Sequence, residues 1–463
     1  MPAVYFNGIN GDTGDYLVPP REVERMQSFG QGRDVQEGVD VKLLSAAGWG
    51  VIFAQSDPQA GRIRQALAPL LRFRREQAGE ALFREYFGDS GYREGESYLE
   101  FLIRNGSAPG PVDPSQVPYY LLLVGDPELI PFDFQFQLDI QYGVGRICFE
   151  TAEEYERYAV SVVAAEASQK AKPRRAMFFG ARHPGDRLTE LCADKMVAPL
   201  ARDAANLVAG RRELQGWSVE TAIADQATKA RLSELIGGRD TPDFLFTTTH
   251  GVLFPKGHVR QLERQGALLC QDWPGLKHAA KADQYFSAED LADGAPRLQG
   301  LISFHVACFS AGVPLHNNFP SNSGLPLQEI ASVPFVNRLP QKMLSHQDGG
   351  ALAVIGHVDQ AFEWSFHWQR PQLASFGSVL RRLFVGYPVG AATEYLGARY
   401  AEVNAILVEE GERGVLSNSV LHDLRFARND ARNYAVIGDP AVRIGPRPEP
   451  DPRQPWSGAP RGA

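Results

Sequence analysis

A histidine and a cysteine in this sequence each follow directly on a short apolar run. His250 ends the run 243–250, and Cys308 comes after Ala307 within the run 301–312. A cysteine thiolate is an effective nucleophile, and an imidazole can take the thiol proton and later return it to a leaving amine. The two side chains therefore predict nucleophilic attack on a carbonyl group, if the fold brings them together.

The small residues beside this pair predict donors for a tetrahedral intermediate. We expect the backbone N–H groups of Gly251 and Cys308 to form an oxyanion hole, because a side chain at position 251 would block close approach. Taken singly, a cysteine at a strand end is usually a small core residue, and a His-Gly pair is usually a turn. Their order and their shared strand context favour catalysis over these structural interpretations.

The elements around the pair predict an α/β fold. Both runs are apolar without alternation, which is typical of buried strands in a parallel sheet. Similar runs alternate with helical periodicity over residues 176–385, and a closing strand is predicted at 434–444. Adjacent strands lie about 4.8 Å apart, and ligands bind outside their carboxyl ends. His250 and Cys308 are therefore expected on one rim of the sheet.

The length of 463 residues exceeds one ordinary core and predicts more than one domain. The polar, Pro-containing stretch 170–175 marks the predicted boundary between a non-catalytic domain at 1–170 and a catalytic domain at 171–445. Residues 446–463 are rich in Pro, Arg and Gly and are predicted to be a disordered tail. The Gly-Asp-Pro sequences at 125–127 and 438–440 suggest two related sheet halves.

Composition excludes several classes of function. The net charge of −8 argues against a nucleic-acid-binding surface. The 4 cysteines contain no CxxC pair, so we expect neither a disulfide framework nor a metal site. We also expect no cofactor. The sequence shows no signal-peptide pattern at its N-terminus and no apolar run long enough to span a membrane. These patterns predict a cytoplasmic protein with no membrane partner.

A family resemblance rests on these blocks. Thr249-His250-Gly251 followed by Ala307-Cys308 resembles the catalytic blocks of caspase-fold cysteine peptidases, most closely the gingipain and CHAT-domain branches. Further similar blocks come in the same order, so that the resemblance covers most of residues 118–444; they lie at 121–126, 142–147, 266–273, 286–291, 349–356 and 434–440. The resemblance implies a three-layer α/β sandwich with mostly parallel central sheets, built as two tandem caspase-like subdomains.

The resemblance also implies an activity and a specificity. It implies an intracellular cysteine endopeptidase that acts on proteins or peptides through a Cys308–His250 dyad and a thioester acyl-enzyme. In metacaspases an acid stands two positions before the cysteine, where this sequence has Val306. In arginine-specific gingipains the acid comes from the helix after the first catalytic strand, and Glu190 and Asp194 match that place loosely. They predict cleavage after Arg or Lys, unless they are ordinary helix N-terminal acids.

Other residues have predicted supporting roles. Trp364 resembles an aromatic wall for a basic substrate side chain, the alternative being a core aromatic. Gingipains carry a glutamate at the end of the first catalytic strand, which this sequence lacks, so Asp186 is a candidate third member and a dyad is the alternative. His305 should be a buried histidine with its hydrogen bonds satisfied, on the strand face opposite Cys308. His316 and His357 are further candidates for supporting groups.

Two other functions stay open. The first is a degenerate caspase-like scaffold that only binds a partner, and the second is a thiol-dependent acyltransferase. Resemblance to CHAT-domain proteins extends the expectation to a bacterial defence or regulated cell-death circuit, with activation by a protein partner or a protease. Arg338 and Lys342 are candidate activation cuts, the alternative being a helix at 335–344.

Overall fold

A computed structural model describes residues 35–36, 38–167, 174–291, 298–319, 327–368, 370–414 and 416–445. The predicted tail at 446–463 and most of the predicted linker lie outside these ranges. Its strands are β1 (Trp49–Phe53), β2 (Phe83–Tyr86), β3 (Tyr120–Val124), β4 (Gly143–Ile147), β5 (Arg174–Gly180), β6 (Trp217–Ile223), β7 (Phe244–Thr248), β8 (Leu268–Leu269), β9 (Tyr285–Phe286), β10 (Ile302–Val306), β11 (Gly312–Val313), β12 (Phe335–Val336), β13 (Ala353–His357), β14 (His367–Trp368), β15 (Arg370–Pro371) and β16 (Tyr434–Gly438).

Ten of these strands form one sheet in the order β2-β1-β3-β4-β16-β13-β10-β7-β5-β6. All neighbouring strands in it run parallel except β13 and β16, which are antiparallel. The sheet therefore consists of two parallel five-stranded halves that run in opposite directions. The predicted mostly parallel α/β fold is confirmed, with strands from both predicted domains side by side in a single sheet. The residue boundaries of those domains stay a prediction.

Helices cover the faces of the sheet, as a parallel sheet with buried strands requires. The helices are Leu44–Ala47, Ala60–Ala66, Ala68–Ala78, Tyr98–Arg104, Phe132–Leu138, Ala152–Ala167, Arg187–Cys192, Ala198–Gly210, Lys229–Leu235, Gln261–Arg264, Arg338–Leu344, Ala374–Phe384, Val389–Arg413 and Asn418–Arg432. A π-helical turn, Ala193–Val197, joins two of them. In the ranges described, no helix combines the length and the apolar character needed to cross a membrane.

Local sequence accounts for several helix boundaries. The hydroxyl of Ser97 accepts a hydrogen bond from the Glu100 N–H and caps helix Tyr98–Arg104. Ser417 caps helix Asn418–Arg432 in the same way. The helix interpretation of residues 335–344 is confirmed at Arg338–Leu344, so the two candidate activation cuts lie within a helix. The guanidinium of Arg338 is also buried there against Glu154.

A buried ion cluster ties the end of β16 to the N-terminal helices. Arg74 is fully buried, with its Nε 2.7 Å from Asp439 and its Nη2 2.7 Å from Glu166. The other oxygen of Asp439 accepts a hydrogen bond from the indole Nε1 of Trp49 at 3.0 Å. Asp439 belongs to the second Gly-Asp-Pro sequence, so this motif links the end of β16 to β1, which begins at Trp49.

Candidate active site

The two central strands of the second half bring His250 and Cys308 to one edge of the sheet. β7 and β10 are parallel neighbours, and Thr248 is paired with Val306. His250 and Cys308 each come two residues after these paired positions, so both emerge at the carboxyl edge, as predicted. They line one cavity of about 340 Å³, counting the part that is open to solvent.

Asp186 lies against the imidazole of His250. Its Oδ2 is 2.5 Å from His250 Nε2. Asp186 caps helix Arg187–Cys192, where its Oδ1 accepts a hydrogen bond from the Leu188 N–H at 3.2 Å. Burial works to raise the pKa of Asp186, but its contact with His250 and its other hydrogen bonds hold that pKa below the usual value. The imidazole is thus held through Nε2, which leaves Nδ1 for proton exchange.

The sulfur of Cys308 is surrounded by backbone donors and is poorly solvated. It accepts a hydrogen bond from the Ala361 N–H at 3.3 Å. Burial raises the pKa of the Cys308 thiol to about 11, although the N–H groups of Ala361 and Gly251 act in the opposite direction. Because of this raised pKa, we expect Cys308 to be a neutral thiol rather than part of a preformed thiolate–imidazolium pair.

The raised pKa gives a testable pH dependence. Alkylation of Cys308 by iodoacetamide should accelerate about tenfold for each pH unit between pH 7 and 9, because only the thiolate reacts and its fraction grows in that proportion below the pKa. The rate is measured by intact-protein mass spectrometry, with Cys308→Ala as the unlabelled control. A rate that levels off near pH 6 to 7 would contradict the neutral-thiol description.

The backbone around Cys308 is tightly packed and strained. A Cβ atom at Gly251 would collide with the carbonyl group of Cys308, so this contact requires glycine. Phe309, directly after the cysteine, has a left-handed φ of 56°, and its N–H donates to the Asp359 carbonyl at 2.7 Å. A non-glycine residue in this conformation stores strain, and strain of this kind is concentrated at functional sites.

A buried carboxylate holds the loop that covers the thiol. Asp430 accepts hydrogen bonds from the N–H groups of Phe362 at 3.0 Å and Ser365 at 2.7 Å. His357 is fully buried with its Nε2 3.2 Å from Asp430. Burial works to lower the pKa of His357, but the Asp430 carboxylate raises it above the usual value. His357 therefore supports the loop of Ala361, rather than touching the cavity itself.

The other two histidines with a predicted role, His305 and His316, lie away from the cavity. His305 is buried, with its Nδ1 2.8 Å from the Thr247 hydroxyl, and burial lowers its pKa to about 3. It is thus buried as predicted, but the expectation that its hydrogen bonds are satisfied was wrong, because its Nε2 has no partner among the described residues. His316 pairs with Glu329 in an isolated β-bridge and does not line the cavity.

The residues predicted to bind the substrate side chain lie outside the cavity. Glu190 and Asp194 point to Arg182, at 3.7 and 3.2 Å respectively. Their helix turns Leu188, Thr189 and Cys192 toward the cavity instead. The two carboxylates stand on the opposite side of this helix, so the geometry removes the basis for assigning them to a pocket.

Trp364 does not form the wall that was predicted for it. Its ring contacts Trp368 at a centroid distance of 5.3 Å, within a small apolar cluster on the C-terminal helices. Phe362 and Phe366 line the cavity in its place, together with Cys192. The rings that line the cavity stand two residues before and two residues after Trp364. The aromatic run 362–368 offers several rings, and only the loop conformation selects among them.

Comparisons with known proteins give only a loose likeness. No protein-family model matches the sequence, and no curated protein matches it significantly. A chain from the complex of Porphyromonas gingivalis RgpB pro- and mature domains is 13% identical, with a TM-score of 0.49 over 86% of this chain and 80% of that one. A chain described as a protease gives 12% identity and a TM-score of 0.47, with 86% and 78% covered. The Saccharomyces cerevisiae separase–securin complex gives 9% identity and a TM-score of 0.30, with 70% of this chain and 16% of that chain covered. Values this low assign neither family nor activity.

Proposed function

We propose that this chain is a caspase-like cysteine endopeptidase in which Cys308 is the nucleophile, His250 the general base and acid, and Asp186 the group that orients His250. The observation that carries the proposal is the Asp186–His250 contact of 2.5 Å beside a cysteine that lines the same cavity. A chain of carboxylate, imidazole and nucleophile is the arrangement that activates a weak nucleophile at neutral pH.

The acylation step follows from these contacts. The Cys308 thiol gives its proton to Nδ1 of His250 while the sulfur attacks the peptide carbonyl carbon. The carbonyl oxygen becomes an oxyanion, for which the N–H groups of Gly251 and Cys308 are the proposed donors. The C–N bond then breaks, the amine leaves with the proton from His250, and a thioester remains on Cys308.

Deacylation uses the same groups in reverse. His250 takes a proton from water, the hydroxide attacks the thioester carbonyl, and the C–S bond breaks. The Cys308 sulfur recovers the proton from His250, and the product leaves with a new carboxylate. Asp186 keeps the imidazole oriented and stabilises its protonated form in both steps. No redox partner or cofactor is needed for the sequence of steps.

The proposal is tested with a mixed-sequence library of internally quenched peptides. Wild-type protein should release peptides with new carboxyl ends, and Cys308→Ala and His250→Ala should not. Cys148→Ala is the control, because this cysteine is buried and does not line the cavity. Absence of any Cys308-dependent turnover or labelling by reactive peptide ketones would favour the scaffold alternative. Amide products with added amines, in place of hydrolysis, would favour the acyltransferase.

The expected substrate preference, location, activation and biological circuit have a different basis from the proposed chemistry. The expected preference for Arg or Lys rested on Glu190 and Asp194, which Arg182 engages here. An intracellular location, an activating partner and a defence or cell-death circuit rest on sequence patterns and the resemblance to CHAT-domain proteins, and they stay predictions.

A further inference from the structure

The cavity beside Cys308 is walled by three segments of uncharged side chains. The helix after β5 contributes Leu188, Thr189 and Cys192, and the end of β10 contributes Val306 and Ala307. The loop after β13 contributes the third wall, with Ala361, Phe362 and Phe366. Among the described residues that line the cavity, none is acidic. The titratable groups there are His250 and the two cysteines.

The nearest carboxylates are directed elsewhere. Asp186 is engaged by His250, and Glu190 and Asp194 are engaged by Arg182 on the outer side of the helix. Asp430 accepts hydrogen bonds from the backbone of the loop and lies beside His357, and Asp359 accepts hydrogen bonds from the N–H groups of Asn318 and Gln360. Glu363 follows Phe362 and acts electrostatically on Cys192, but its side chain does not line the cavity. A cationic substrate group in the cavity would therefore meet no free counter-charge in its wall.

The aromatic wall is preformed rather than adaptable. The N–H groups of Phe362 and Ser365 are fixed by Asp430, which is fully buried on helix Asn418–Arg432. The Phe362 ring also packs against Phe319 at 4.5 Å and Phe426 at 5.4 Å between centroids. Because neighbouring groups hold both the backbone and the ring of Phe362, this wall keeps the cavity narrow and apolar when a substrate enters.

We infer that this cavity receives the substrate side chain next to the cleaved bond, and that the peptidase cuts after uncharged aliphatic residues such as Leu, Val or Met. The inference rests on the proposed function. Apolar side chains gain free energy when they leave water for such a cavity, whereas an unpaired guanidinium or carboxylate loses its hydration without compensation. Discrimination of about 100-fold between Leu and Arg is within the range that a hydrophobic pocket provides.

The test compares matched fluorogenic tripeptides that differ only in the residue before the cleaved bond, namely Leu, Val, Met, Arg, Lys or Asp. Peptide acyloxymethyl ketones with the same residues are run beside them, and the rate of Cys308 modification is followed by intact mass. The expected result is a kcat/KM and a modification rate about 100-fold higher for Leu than for Arg. Glu190→Gln, Asp194→Asn and Glu363→Gln should all leave this ratio unchanged.

A variant that adds a charge to the wall makes the test specific for this cavity. Thr189→Asp should lower the Leu to Arg ratio by at least about tenfold, because it supplies the missing counter-charge. Cys192→Asp serves the same purpose if thermal melting shows that Thr189→Asp is unfolded. Cys308-dependent cleavage with Arg or Lys preferred would overturn the inference and leave the peptidase standing. Absence of Cys308-dependent reaction with every peptide and ketone would overturn both.

Discussion

Replacing Asp186 with asparagine is expected to lower kcat by about 10³- to 10⁴-fold, with KM much less affected. The carboxylate accepts a hydrogen bond from His250 Nε2 at 2.5 Å and so leaves Nδ1 as the nitrogen for proton exchange. An amide that turns its NH₂ group toward Nε2 would favour the wrong tautomer, and it could not stabilise the imidazolium. Both effects act on the chemical step, and steady-state kinetics on the best peptide of the library measure them.

The matched control for this change is Asp194→Asn. It removes a carboxylate eight residues further along the same helical segment, where the side chain pairs with Arg182 outside the cavity. Its kcat should stay within about twofold, since surface ion pairs contribute little. If Asp186→Asn kept kcat within threefold of wild type at an unchanged melting temperature, His250 and Cys308 would act as a dyad.

Replacing Arg74 with methionine is expected to lower the free energy of unfolding by about 3–5 kcal/mol. Arg74 is fully buried between Glu166 and Asp439, both at 2.7 Å. Methionine fills much of the same space but removes the Arg74 guanidinium from beside two carboxylates in the interior. The loss would be read from urea denaturation at constant m-value.

The control for the Arg74 change is Arg62→Met, which breaks an ion pair with Glu153 at 3.0 Å in which both side chains are more than half exposed. Such pairs are worth about 0–1 kcal/mol, so the midpoint should hardly move. A loss below about 1 kcal/mol for Arg74→Met would mean that water or rearrangement satisfies Glu166 and Asp439, contrary to the rigid cluster described above.

The pair at the centre of the site could be predicted from sequence because its signal is local. His250 and Cys308 each follow an apolar run, and strand geometry alone places such residues at a sheet edge. The partner of His250 depends on contacts between distant segments. Asp186 is 64 positions away in the chain, and only the pairing of β5 with β7 brings its loop beside the histidine.

For a related reason, the sequence could not show which side chains of the helix after β5 line the cavity. The length of the loop that precedes helix Arg187–Cys192 sets the rotation of the helix, and this rotation decides which side chains enter the cavity. The sequence shows acids at 190 and 194 but not that Leu188, Thr189 and Cys192 face Cys308. Likewise β16 was predictable as a strand, whereas its parallel pairing with β4 and antiparallel pairing with β13 depend on long-range neighbours.

The position of β16 has a consequence for the order of assembly during synthesis. Among the described strands it is the last to leave the ribosome, yet it occupies the middle of the sheet. Until it is made, β4 and β13 both present open edges, and Asp430, just before it, is not yet available to secure the loop over the thiol. Contacts of such sequence separation form slowly. A nascent chain therefore carries both Cys308 and His250 well before the strand and the carboxylate that complete their surroundings have been made.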